Sequence, residues 1–350
     1  MYVIQPLTIS DSVLLTSNVP ETLAPAFVLG TTYTVDTLVG VLTGTLQVIY
    51  QSLNNANNGH PPASSPTWWK PVATVYAPYS TTSTYALGDI VTNIGTNVHD
   101  LYKSNVAGNL NQPLTDTLKW TRLGVTNRRA MFDGINSTLT SRADAISITL
   151  KSTSMVTGFY LGVVEGDEIQ VTMTDPVAGL VSDETYNLVQ SNSASSFWGW
   201  SFNEIVRRTT AFSITLPAYI GATISIEIRK PGGTASCGMC CIGPVRSLGL
   251  SQYGLTTEMK DYSTTRFNVD GTSETVERGF AKRMSVDVQL GNDVIDSVQN
   301  MLSKIKQTPV VWIGWKESEW TQMYGTFSSF KNVIAFPTKS NMALQIEGKV

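Results

Sequence analysis

The sequence predicts a mainly β, multidomain protein: two small tandem β modules, a β-sandwich, and a C-terminal α+β domain with one helix on a sheet. Three observations carry this. A 52-residue pattern is written twice near the N-terminus, short alternating runs separated by turn residues fill the middle, and a single helix-period stretch stands near the end.

Residues 1–25 read as one strand, Tyr2 to Ser10, and a polar lead-in. The repeat follows. Shifting the chain by 52 residues places Thr32, Tyr33, Val39, Tyr50, Ser52, Asn57, Pro61 and Trp68 on Thr84, Tyr85, Val91, Tyr102, Ser104, Asn109, Pro113 and Trp120, without a gap. Modules are therefore expected over 26–74 and 75–125. Each is under about 50 residues and holds only a small apolar core. Tyr33/Tyr85, Tyr50/Tyr102 and Trp68/Trp120 are its natural interior pegs. The Gly88-Asp89 turn before Ile90-Val91, and the turn at 93–97 before Leu101-Tyr102, read as a hairpin.

The pattern resembles small chitin-binding-type carbohydrate-binding modules through Tyr79, Tyr85, Gly88-Asp89-Ile90-Val91, Tyr102, Pro113 and Trp120. The first copy has Asp36-Thr37 in place of Gly-Asp. After the second Tyr the family carries exposed aromatics that stack on sugar; here stand Leu53-Asn54-Asn55 and Asn105-Val106-Ala107. Trp69 and Tyr76 are the candidate substitutes. Without them, the resemblance implies a spacer or protein-contact unit.

Residues 126–249 carry alternating runs at 145–150, 160–164, 169–174, 185–189, 212–216 and 223–228. Turns are expected at 165–167, Asp175-Pro176, Pro217 and Pro231-Gly232-Gly233. Such spacing predicts a sandwich, of the jelly-roll or galactose-binding-like kind. The aromatic cluster Phe197-Trp198-Gly199-Trp200-Ser201-Phe202 is a candidate glycan or partner contact, with packing across the sandwich as the alternative. Cys237, Cys240 and Cys241 are the only cysteines; three ligands fall short of a closed zinc or iron–sulfur site, and buried thiols on a strand are expected. No cofactor or metal is implied.

Residues 250–350 read as the α+β assembly domain. A hairpin with Asp270-Gly271 at its tip precedes a strand at 284–290. Asn292 is placed to cap a helix with apolar positions Val294, Ile295, Val298, Met301, Leu302 and Ile305, and Pro309 stops it. Strands follow at 310–313, 324–327 and 342–346. Arg278, Arg283, Trp315 and Trp320 are candidate assembly contacts.

Net charge is −3 with 15% charged residues, which gives no footprint for nucleic acid or an anionic membrane, and no apolar run reaches membrane-spanning length. The N-terminus lacks the basic and apolar regions of a secretory signal, so synthesis in a cytoplasm is expected, with exit by lysis or a dedicated route. Hydrolase and phosphate-loop motifs are absent, and neither His60 nor His99 has an obvious serine or cysteine nucleophile in its module. Glu165, Asp167 and Glu168 could serve as paired glycosidase carboxylates or calcium ligands, but read better as a solvated turn. A non-enzyme is expected.

Taken whole, the chain resembles a family of tailed-bacteriophage virion proteins, baseplate or tail-tip components often labelled carbohydrate-binding. The marks are the tandem Tyr…Gly-Asp-x-Val…Tyr…Trp units, the joint Leu123 to Gly134, Leu248 to Gly254 with Asp261-Tyr262-Ser263, and Val276-Glu-Arg-Gly-Phe-Ala-Lys-Arg-Met284. The resemblance implies a structural part of the virion, several copies arranged around the tail axis, contact with other tail or baseplate proteins, and a possible bacterial surface polysaccharide. The alternatives are a dedicated glycan-binding receptor protein and a cell-wall glycoside hydrolase.

Overall fold

The computed structural model describes residues 1–189, 207–267, 270–334 and 336–349. It is mainly β: 54% strand against 6% helix, in antiparallel sheets with one α-helix among the described residues.

Strand β1 (Tyr2–Ile4) is shorter than expected. Pro6 lacks an N–H to continue the ladder, and the chain leaves the strand before it. β2 (Leu14–Ser17) comes next. The first repeat segment forms β3 (Leu38–Thr43), β4 (Leu46–Ser52) and β5 (Trp69–Tyr76). The second forms β6 (Thr84–Tyr85), β7 (Ile90–Gly95), β8 (Val98–Ser104), β9 (Asn109–Leu110) and β10 (Trp120–Val125). Sheets β3-β4-β5 and β10-β8-β7 have the same pairings: Val39 faces Tyr50 as Val91 faces Tyr102, and Ser52 faces Trp69 as Ser104 faces Trp120. Left-handed backbone recurs at the same offset, at Asp36 and Gly88, Ala56 and Gly108, and Gly59 and Asn111. In each segment a buried Asn side chain (Asn57, Asn109) donates to a buried Ser hydroxyl (Ser52, Ser104) at 3.0 Å.

One expectation is corrected here. The interior tryptophan of the first segment is Trp69, 1% exposed, and not Trp68. From Asn57 to Trp69 the loop is one residue longer than from Asn109 to Trp120, so a gapless alignment picks the wrong neighbour. Trp69 meets Phe27 and Tyr33 edge-on, as Trp120 meets Tyr79 and Tyr85. Its indole donates to the His60 carbonyl at 2.7 Å, as Trp120 donates to Gln112 at 3.1 Å. Trp69 is therefore a packing residue and presents no face to a ligand. Tyr85 is buried; Tyr33 and Tyr102 are half-buried against the same clusters, and Tyr50 is half-buried.

The middle of the chain supplies β11 (Thr140–Lys151), β12 (Gly158–Glu165), β13 (Glu168–Asp175), β14 (Gly179–Asn187), β15 (Thr210–Ser213) and β16 (Thr223–Gly243). β16 pairs with β11 from Thr223 to Cys237, with β13 over 223–229 and with β12 over 236–243. Pro231-Gly232-Gly233 is not the expected turn. It bulges from within β16 opposite Ala143 and Asp144, where the Gly232 N–H donates to Asp144 at 2.9 Å. Alternate residues of β11, β12, β13 and β16, such as Ile148, Leu161, Val171 and Ile226, share one apolar core.

After β16 come β17 (Val245–Ser247), β18 (Leu250–Ser251), β19 (Thr256–Asp261), β20 (Thr264–Phe267), β21 (Ser273–Val276) and β22 (Phe280–Gly291). Helix α1 (Ile295–Lys304) and β23 (Val310–Ile313), β24 (Gln322–Val333) and β25 (Lys339–Gly348) follow. The eight-stranded sheet runs β17-β1-β23-β24-β25-β22-β18, with β19 also on β22. Val298, Leu302 and Ile305 recur at helical spacing and pack on Val286, Val288, Leu344 and Trp312. Asn292 does not cap the helix. Its amide donates to the Phe336 and Pro337 carbonyls and its oxygen accepts from Ser340, which closes the β25 turn instead.

The N-terminal segment touches every part. β1 lies between β17 and β23, and β2 pairs with β11. Ile4 joins Tyr160, Met239, Cys241, Val311 and Ile313 in a core between the two large sheets. Ala24 exchanges two hydrogen bonds with the buried Gln47 side chain on β4. Asp11 and Glu21 meet His99 on β8.

Substitution separates the two adjacent tryptophans. Trp69→Ala is expected to destabilise the first segment by about 3–5 kcal/mol, as for a large buried ring. Trp68→Ala should cost about 1 kcal/mol or less. Denaturant titration of the two variants checks this.

Candidate functional site

Among the described residues, an exposed two-stranded arm stands out. The outer ends of β19 and β22, 259–261 paired with 280–282, run past β25, and β20 and β21 prolong the ribbon. Its sequence explains its shape: Thr-rich alternation, a Thr265–Thr275 cross-strand bond of 3.1 Å, and Gly271 at φ +83° beside Asp270, which accepts from the Thr272 N–H and hydroxyl. Every strand residue of β20 and β21 is exposed, Phe267 to 80%. A two-stranded ribbon that buries neither face is marginal by itself.

The root of the arm is tied by charge. Glu347 on β25 accepts from Lys260 at 2.9 Å, Tyr262 at 3.0 Å and Arg283 at 3.0 Å. The Lys260 bond above all, then those of Arg283 and Tyr262, holds its carboxyl below the usual range against the opposing effect of burial. Arg283 is thus committed within its own chain. Arg278 is exposed, its backbone N–H bonded to the Ser263 hydroxyl. Glu258, Arg283, Ser285, Ser328, Gln345 and Glu347 line a polar hollow of about 230 Å³.

At the same root lies an aromatic patch. Phe280 and Trp320 stack with centroids 6.3 Å apart, and Lys282 sits 5.2 Å from the Trp320 ring. Burial lowers the Lys282 ammonium pKa, with Glu319 opposing. Trp315 is 58% exposed and Trp320 44%. Of the residues named from the sequence, Trp320 stacks in this patch, Arg283 bonds Glu347 at the arm's root, and Arg278 and Trp315 are exposed; the arm's exposed Phe267 and the partner ring Phe280 are not among them.

The remaining candidates fall elsewhere. Tyr76 is half-buried on the wall of a depression shared by β5, β7 and the N-terminal segment. Phe197, Trp198 and Trp200 lie outside the described residues. Trp68 stacks on His60 at 3.9 Å and 12°, half-exposed, where the second segment has Lys119. The three carboxylates of 165–168 are each ion-paired: Glu165 with Lys230, Asp167 with Arg207, Glu168 with Arg229. They form surface pairs and do not face one another across a cleft. Burial raises all three thiol pKa values, Cys237 to about 12, so the sulfurs stay protonated and unreactive.

Among the described residues no group of three His, Cys, Asp or Glu is arranged to hold a metal ion, and no helix is long and apolar enough to cross a membrane. No family model matches this chain, and no curated protein matches it either.

The arm root should respond to acid. Glu347 has a depressed pKa in the folded chain, so its contribution is fully present above the ordinary carboxylate range and disappears as pH falls through the lower folded value. Hydrogen exchange is expected to show β19 and the adjoining part of β22 losing protection over that fall in pH. Glu347→Gln should produce the same loss at pH 7.

Proposed function

We propose that this chain is a structural component of a bacteriophage tail tip or baseplate, in which several copies stand around the tail axis and contact other virion proteins. The observation that carries the assembly role is the exposed β20–β21 arm with the Phe280–Trp320 stack at its root. A ribbon without burial on either face, beside rings left in solvent, suits a surface completed by a neighbouring subunit. The resemblance of the tandem segments, the 123–134 joint and the 276–284 stretch to tail proteins supports the virion setting. On this reading, the two repeat segments are carbohydrate-module-like units used as spacers, and the middle domain is a jelly-roll-type sandwich.

A second reading, a glycan-binding role, is favoured by one observation: the half-exposed Trp68 ring stacked on His60. A Trp ring backed on one face by a His ring is of the kind whose other face packs against a pyranose. It belongs to the first segment alone.

Two experiments separate the readings. Replacing 264–276 by a short Gly-Ser turn should leave a folded, soluble chain that no longer enters assembled particles; normal particles would contradict the assembly role. Pull-down on host surface polysaccharide, with Trp68→Ala as control, should show no Trp68-dependent retention if the chain is purely structural. Retention lost in that variant would favour the glycan role.

A further inference from the structure

We propose that His99 is a protonation-dependent latch holding the second repeat segment to the N-terminal segment. The imidazole lies on β8, nearly enclosed, with Nε2 2.6 Å from Asp11 Oδ1 and Nδ1 2.9 Å from Glu21 Oε1. A carboxylate only accepts hydrogen bonds, and a neutral imidazole has one N–H. Both contacts are donated only by the imidazolium. In the neutral ring one nitrogen lone pair faces a carboxylate oxygen instead.

The surrounding charges set what gives way. Arg129 also pairs with Asp11, and Arg128 lies 3.6 Å from Glu21, which further accepts from the Thr126 hydroxyl. Asp100, the next residue on β8, is occupied by Arg122 at 2.6 Å. Two arginines therefore remain to balance Asp11 and Glu21 when the imidazolium loses its proton. Both carboxylates stay bound to the 126–129 joint, and the contact that is lost is the one reaching β8. The Asn97–Asp11 backbone and side-chain bonds of 2.8 and 2.9 Å keep the segments adjacent, so the latch loosens and does not detach.

The first segment provides the control. Gln47 stands 52 residues before His99 and does the same job, clasping Ala24 through an amide that does not titrate. The chain thus holds its N-terminal segment at two equivalent positions, one indifferent to pH and one sensitive to it.

The chain has only two histidines, so selective ¹³C-His labelling of the full-length protein gives two ring signals, with His60 as the internal comparison. These are followed from pH 5 to 9 beside hydrogen exchange corrected for the intrinsic pH dependence. The His99 signal and the protection of peptides spanning 11–21 and 98–104 should change over the same pH interval. Protection should fall about tenfold, the loss of roughly one charge-assisted hydrogen bond. Peptides around Gln47 should not change over that interval. His99→Gln should abolish the pH dependence. Unchanged protection of the 11–21 and 98–104 peptides while the His99 ring titrates would overturn the proposal, and the wild-type chain alone decides this if the variant does not fold.

Discussion

The structure depends on how residues 1–26 are held. This segment has almost no core of its own, yet it gives a strand to the C-terminal sheet, another to the middle sheet, a backbone clasp to the first repeat segment and two carboxylates to the second. The Asn18 side chain adds bonds to Ala145 and Ser147 of β11 at 3.0 and 2.9 Å. Each contact is modest alone. Together they make the position of one part conditional on the others, because a short stretch of chain cannot leave one partner without straining the rest. The arrangement is also costly in loop closure: β1 waits for β23, some three hundred residues later, before its ladder is complete.

Charge is buried where these parts meet. Glu21 is 5% exposed, and Arg129 8%. Unpaired, either would be expensive to desolvate. Here each finds partners on a different stretch of chain, so the pairing specifies which segments touch as well as offsetting the desolvation. The sheets themselves are held by ordinary means, alternating apolar residues on inward faces and one amphipathic helix. The polar cluster tells the repeats where to sit; the apolar cores tell each sheet how to close.

Much of this was legible. Alternation marked the strands of the middle region, helical spacing of Ile295, Val298, Leu302 and Ile305 marked α1, and Asp270-Gly271 marked the arm's tip. The 52-residue offset picked out Val39/Val91, Tyr50/Tyr102 and Ser52/Ser104, whose pairings coincide. What failed did so for local reasons. One extra loop residue hid the equivalence of Trp69 and Trp120. Pro231-Gly232-Gly233 looks like a turn, but β11 on one side and Asp144 beneath it hold it as a bulge. Asn292 has the chemistry of a helix cap, and tertiary contacts with 336–340 claimed its side chain first. The links between distant segments left no periodic trace. A lone Asp11, Glu21 or His99 carries no signal of its partner, since nothing in a linear pattern says that residues 11, 21, 99 and 129 converge. The exposure of the arm followed only from seeing that its strand residues stay in solvent among the described residues.

The account's central claim is that the N-terminal segment couples the parts into one cooperative body. Native-state hydrogen exchange on the intact chain, with and without Ile4→Ala, tests it most directly. Ile4 is fully buried between the two large sheets and does not touch the repeat segments' cores. Coupling predicts that its truncation lowers the opening free energy measured in β23, β11 and β8 by similar amounts. A loss confined to β23 and its neighbours, with β8 unaltered, would contradict it.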